Sequence, residues 1–131
     1  RLAQALLEAP PAMDCPGLRS RILDVGLSFL LRGISKQLWG SGAWDLLYAD
    51  WCDGRSFSDL LRSVSHYRGQ TVLLIRAAGG GEVLGAVSDC WEEGNGAFTG
   101  GSECLLFALW PTLRAFRSTG RCKNYTYLNS R

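Results

Sequence analysis

Apolar and polar positions change their spacing several times along this chain, and each change marks a structural element. Residues 1–9 (RLAQALLEA) favour helix until Pro10 and Pro11 end it, and Met13-Asp14-Cys15-Pro16-Gly17 is linker-like. The reading therefore sets 1–17 apart as a helix and linker and places one domain at 18–131. From Ser20 the apolar positions Ile22, Val25, Gly26, Phe29, Leu30 and Gly33 follow helical spacing, widened by Leu23, Leu27 and Leu31. Ser20 suits the cap and Gly33 the stop.

After the Gly40-Ser41-Gly42 turn, the aromatic and aliphatic run 43–49 has the length and composition of a first strand. Asp53-Gly54-Arg55 turns the chain, and Ser56 with Asp59 three residues on resembles a capping box. Phe57, Leu60, Leu61, Val64 and Tyr67 then fall on one helical face, with Asp59, Arg62, Ser63 and His66 mostly opposite. Beyond Gly69 the period shortens. Residues 71–76 and 82–88 flank Gly79-Gly80-Gly81 and predict a hairpin, with Gly85 marking a bulge or the close approach of another backbone. Further strands are predicted at 103–110, stopped by Pro111, then at 112–116 and at the alternating 123–129. This order predicts an α+β fold, mainly antiparallel β, with one sheet or two packed sheets flanked by helices.

Composition agrees with a single packed domain: 131 residues, 47% hydrophobic and 20% charged. A net charge of +2 is too mild to favour nucleic acid as a partner. No stretch reaches the roughly 18–20 apolar residues of a membrane span; the nearest, 22–31, is interrupted by Asp24. The absence of an initial Met and the acid-tipped start give no convincing leader peptide, so a fragment of a longer chain is expected.

Five cysteines without a CxxC pair, beside a single histidine, make a zinc site improbable and fit reduced thiols in the cytoplasm. Cys90 and Cys104, beside apolar runs, read as small core residues. The sequon at Asn124 lies in a strand-like run and is read as chance. The glycines at 79–81 open no helix and precede no Lys-Ser/Thr pair, so they do not form a phosphate loop.

Candidate chemistry is sparse. His66 paired with Cys52 or Cys90 would make a nucleophile and base, but a histidine on the polar face of an amphipathic helix is ordinarily solvated. Glu92-Glu93, or Asp89 with Glu103, would supply paired carboxylates; in a glycine-rich loop they read as a solvated turn. The strongest thiol signal is Cys122, whose neighbours Arg121 and Lys123 favour a thiolate, with Cys52 as the second redox candidate. After Glu103 there is no acid, whereas Arg114, Arg117, Arg121, Lys123 and Arg131 form a basic edge. Such an edge serves an acidic protein, an anionic membrane, or simply protection of a sheet edge against aggregation. The tryptophans read mostly as core, with Trp51 and Trp91, beside turns, as candidate exposed anchors.

Several segments taken in order resemble the TLDc domain family. They are Trp44-Asp45-Leu46-Leu47-Tyr48, then Asp53-Gly54-Arg55-Ser56-Phe57-Ser58-Asp59-Leu60-Leu61, Val83-Leu84-Gly85-Ala86-Val87, Cys90-Trp91, 98–107 (FTGGSECLLF), Thr119-Gly120 and 124–129 (NYTYLN). Together they cover residues 20–129. Trp44, Tyr48, Gly54, Ser56, Leu60, Gly85, Glu103 and Gly120 are the motif residues, and they carry fold rather than catalysis. The resemblance implies a two-sheet β-sandwich, with no catalytic centre, cofactor or metal. It also implies roles in oxidative-stress resistance and in binding the vacuolar proton-pumping ATPase (V-ATPase). The protein would then be cytoplasmic, with peripheral contact at lysosomal or other endomembranes. Residues 88–92 and 127–129 are most similar to the lysosomal, mTOR-activating branch. The family continues with a G-L-G-M-G-G segment where this chain reaches Arg131, so a sheet incomplete at its C-terminus is expected.

Overall fold

A computed structural model describes residues 20–35, 38, 44–79, 81–123 and 125–128. The helix read at 1–9, the linker, the turn at 40–42, Cys15 and Trp39 lie outside the described residues. The chain divides into two units, Arg1–Asp45 and Leu46–Arg131.

In the first unit, α1 spans Val25–Ile34. It starts later than the sequence suggests because Ser20 is occupied in a local turn, its Oγ accepting from the amides of Ile22 (3.2 Å) and Leu23 (2.9 Å). Asp24 caps instead, its carboxylate accepting the Leu27 amide at 2.8 Å. The helix passes through Gly33 and ends at Ser35, which has an extended backbone. Leu31 and Ile34 are its most buried residues while Val25 is exposed, so the buried stripe is centred away from the predicted Val25-Gly26 position. The Arg32 guanidinium lies 5.7 Å from the centroid of the Trp44 ring.

The second unit opens with an extended stretch to Tyr48, the short helix α2 (Asp50–Asp53) and α3 (Phe57–Val64). The first strand predicted at 43–49 does not form over its described residues. Its composition suits a strand, but a strand must join a ladder, and 44–49 is not one of the four strands of the sheet. The Ala49 amide instead donates to Asp53 Oδ2 at 2.7 Å, closing α2. Ser56 caps α3 as predicted, accepting the Asp59 amide at 3.4 Å. Only Val64 of the predicted apolar face is fully buried; Phe57 and Tyr67, at its two ends, are exposed.

Four strands follow in sequence order as one antiparallel sheet: β1 (Thr71–Arg76), β2 (Val83–Ser88), β3 (Leu105–Trp110) and β4 (Arg114–Arg117). The hairpin is as predicted, Arg76 pairing with Val83, and Gly79 and Gly81 adopt the positive φ its loop requires; Gly80 lies outside the described residues. The register slips between β2 and β3, where Val83 faces Trp110 and Leu84 faces Ala108, making Leu109 the extra residue of a bulge.

Register sorts the side chains into two faces. Val83, Val87, Leu105, Phe107 and Leu109 share the buried inner face. On the outer face, Leu73, Ala86, Leu106 and Phe116 form one cross-strand row, and Ile75, Leu84, Ala108 and Arg114 form the next. The predicted strand at 123–129 reduces to one bridge, Thr126 to Thr99, braced by Tyr127 stacked obliquely on Phe98 at 5.2 Å; 124 and 129 lie outside the described residues. The fold is thus α+β with one four-stranded antiparallel sheet. A second sheet is not found among the described residues.

Candidate interaction surface

Several motif residues build one local structure. Tyr48 donates its hydroxyl to the Gly54 carbonyl, so the ring ties the start of α2 to the turn after it. Gly54 has φ 94°, a conformation that disfavours side chains, and Arg55 reaches back to Asp50 at 3.4 Å. Ser56 and the half-buried Leu60 lie directly beyond, at the cap and on the first turn of α3. Trp44 belongs to the first unit. Gly85 sits in β2, where an added Cβ would meet the Leu73 carbonyl oxygen and come within 2.5 Å of the Phe107 ring. Gly120 turns the loop after β4 with φ 71°, and Glu103 is exposed just before β3.

Of the two redox candidates, one lies within this cluster and the other after β4. Cys52 is exposed within α2 between Trp51 and Asp53. Cys122 is exposed between exposed Arg121 and Lys123, and shares a groove of about 270 Å³ with Cys104, Arg117 and Tyr125. Cys104 donates to Asp89 Oδ2 at 3.8 Å. Cys90 is only half-buried; its thiol is held above the usual cysteine range, chiefly by donating to the Glu92 carboxylate, then by burial and by the Glu92 charge, with Arg68 pulling the other way. That hydrogen bond needs the proton, so it stabilises the fold at pH values below the free thiol's pKa, and the gain is lost as pH rises through the raised native value. Alkylation followed site by site by mass spectrometry, at about pH 8, is expected to modify the exposed Cys52 and Cys122 first and the half-buried Cys90 more slowly. Equal rates would show that the Cys90 to Glu92 bond is not made.

A second groove, of about 600 Å³, runs between α3 and the loop after β2. Arg68 Nη1 meets Glu92 Oε1 at 2.6 Å across it, and Arg62 meets Asp59 at 3.2 Å. Its charges are therefore largely neutralised within the protein. Trp91, read as a candidate exposed anchor, is half-buried here and donates Nε1–H to Thr71 Oγ1 at 2.8 Å, pinning the loop to the start of β1. Trp51 is likewise half-buried, and His66 is exposed. No group of three or more His, Cys, Asp or Glu that would hold a metal ion occurs among the described residues.

What the fold displays instead is apolar surface. Leu106 is 62% exposed, Phe116 58% and Trp110 55%, with Ile75, Leu84 and Leu113 exposed nearby in the sheet and its β3–β4 turn. Sequence reading missed this surface because β3 (LLFALW) is apolar throughout, and only the register assigns alternate residues to opposite faces. No helix among the described residues is long and apolar enough to cross a membrane.

Comparison with known proteins gives a coherent result. The family profile described as "TLDc domain" matches residues 19–131. "MTOR-associated protein MEAK7" of Danio rerio is 39% identical over 89 residues, 68% of this chain and 19% of that protein. The proteins of the same name from Gallus gallus and Homo sapiens are 28% identical over 119 residues and 33% over 86, covering 88% and 66% of this chain. The chain spans 25% and 18% of the length of those two. By the extent of the profile match and the agreement of these relatives, the chain belongs to the TLDc domain family.

Proposed function

We propose that residues 18–131 form part of a non-enzymatic TLDc-type interaction module that acts in mTOR-linked signalling. It binds subunits of the V-ATPase and contributes to oxidative-stress resistance, in the cytoplasm and peripherally at lysosomal or other endomembranes. The observation that carries this reading is the exposed apolar face of Leu106, Phe116, Ile75 and Leu84, and the name of the relatives supports the signalling context. The four strands are proposed as one layer of a two-sheet β-sandwich. Trp44, Tyr48, Gly54, Ser56, Leu60, Gly85, Glu103 and Gly120 act in this reading by holding the scaffold.

A second reading, a thiol-based antioxidant enzyme using Cys122 or Cys52, draws on one observation, the exposed Cys122 between two cations. One experiment separates the two. The chain, its Leu106→Glu variant and its Cys122→Ser and Cys52→Ser variants are expressed in cells, captured, and probed for V-ATPase subunits, while survival under peroxide is scored. Capture by the native chain and both serine variants, unchanged peroxide survival with those variants, and loss of capture with Leu106→Glu are expected. Failure of the native chain to capture any V-ATPase subunit would overturn the first reading. Loss of protection in either serine variant alone would favour the second.

A further inference from the structure

The sheet's two edges differ. At β1, Thr71 is buried and 72–74 are half-buried, and Trp91 bonds to Thr71 from the neighbouring loop. All four residues of β4 are exposed, and no strand lies beyond it among the described residues. An exposed strand edge offers backbone donors and acceptors to any extended segment. In β4 that edge carries a definite side-chain code. Arg114 and Phe116 project on the outer face, and Ala115 and Arg117 on the inner, because directly paired residues share a face and β4 faces Ala108, Leu106, Phe107 and Leu105. The loop that follows adds Arg121 and Lys123, and no acidic residue occurs after Glu103.

We infer that β4 is a docking edge for an extended acidic segment of a partner protein, added to the sheet as an antiparallel fifth strand. The inference rests on the interaction-module reading and names the chemistry of its partner. An incoming strand must place acids opposite Arg117 and Arg114 and an apolar residue opposite Phe116, where it lengthens the row Leu73, Ala86, Leu106 and Phe116 by one position. Read along the antiparallel partner, the pattern is acid, apolar, any residue, acid. The β4 of a second copy, Arg-Ala-Phe-Arg, carries no acid and so does not satisfy it. The same arginines acting only as guards against aggregation would give no such pattern preference.

The test uses fluorescent peptides of about nine residues, a usual strand length. One carries a Glu-Val-Thr-Asp core, the other Lys-Val-Thr-Lys. Binding to the 131-residue chain is followed by polarisation, and amide protection by hydrogen exchange. The acidic peptide is expected to bind, to protect the amides of β4, and to weaken steeply as salt rises from about 0.1 M to about 1 M, where the screening length falls to about 3 Å. The Arg114→Glu and Arg117→Glu changes, at exposed positions and made together, should weaken it about tenfold while the chain stays folded. No binding, equal binding of both peptides, protection elsewhere than β4, or adsorption to anionic vesicles that Arg114→Glu and Arg117→Glu leave intact would each overturn the inference. Capture of V-ATPase subunits that persists in the doubly reversed variant would leave the interaction module standing and remove only this edge.

Discussion

Replacing Gly85 by alanine is expected to destabilise the sheet by about 3 kcal/mol, a large share of the roughly 5–15 kcal/mol that holds a domain folded. Gly85 lies mid-strand, where a glycine ordinarily weakens a sheet because it adds backbone entropy and no packing. Its presence therefore needs a steric reason, and there is one: an added Cβ would collide with the Leu73 carbonyl oxygen of β1 and lie 2.5 Å and 2.8 Å from two carbons of the Phe107 ring. The carbonyl belongs to a ladder that cannot move without breaking hydrogen bonds on both sides of β2. A control isolates the effect from glycine chemistry in general. Gly33 in α1 has open space around its would-be Cβ, so Gly33→Ala should be neutral or stabilising by up to about 1 kcal/mol. Urea unfolding of the two variants decides the matter: a loss below about 1 kcal/mol for Gly85→Ala would mean that the sheet accommodates the methyl group.

The elements that were legible in the sequence are those whose order is local. α3 announced itself through a cap and a 3.6-residue period, both contained in 56–64. The hairpin did so through glycines between two β-branched runs, and Gly85 through its oddity inside one of them. The elements that failed depended on distant partners. Residues 44–49 have a strand's composition, yet pairing is a property of two segments, and Asp53 captures the Ala49 amide first. Residues 123–129 alternate well, yet among the described residues the ladder contact is the single bridge of Thr126 to Thr99. The N-terminus of α1 was misplaced because two good capping residues, Ser20 and Asp24, lie four apart, and composition does not say which is engaged in a turn.

The same distinction governs the surface. The basic segment was visible as a run of charges without acids, whereas the apolar face was not, because every residue of β3 is apolar or small. Hydrophobicity says that such a strand is buried on at least one side. Which side is buried is settled only when Leu105 is found against Val87 and Leu106 against Ala86. Trp110 shows the cost of that ambiguity: its composition suggests core, yet the alternation along β3 puts Leu109 in the core at 1% exposure and leaves Trp110 out.

The two faces of β3 and β4 should therefore respond to the same truncation in opposite ways. Phe107→Ala is expected to cost about 3–5 kcal/mol, the usual penalty for emptying an aromatic site in a packed core, because its ring is 2% exposed. Phe116→Ala, on the exposed outer face, should change stability by less than about 0.5 kcal/mol. The ring of Phe107 faces Gly85 directly in the register, so the two sites are one packing unit. In the double variant, removing the ring makes room for the alanine methyl on one side while the Leu73 carbonyl still blocks it on the other. The combined loss should then fall short of the sum of the single losses by about 1 kcal/mol, the scale of coupling between touching residues. Strict additivity would mean that the Leu73 carbonyl alone excludes a side chain at position 85. Full recovery of the Gly85→Ala loss in the Phe107→Ala background would assign the exclusion to the ring.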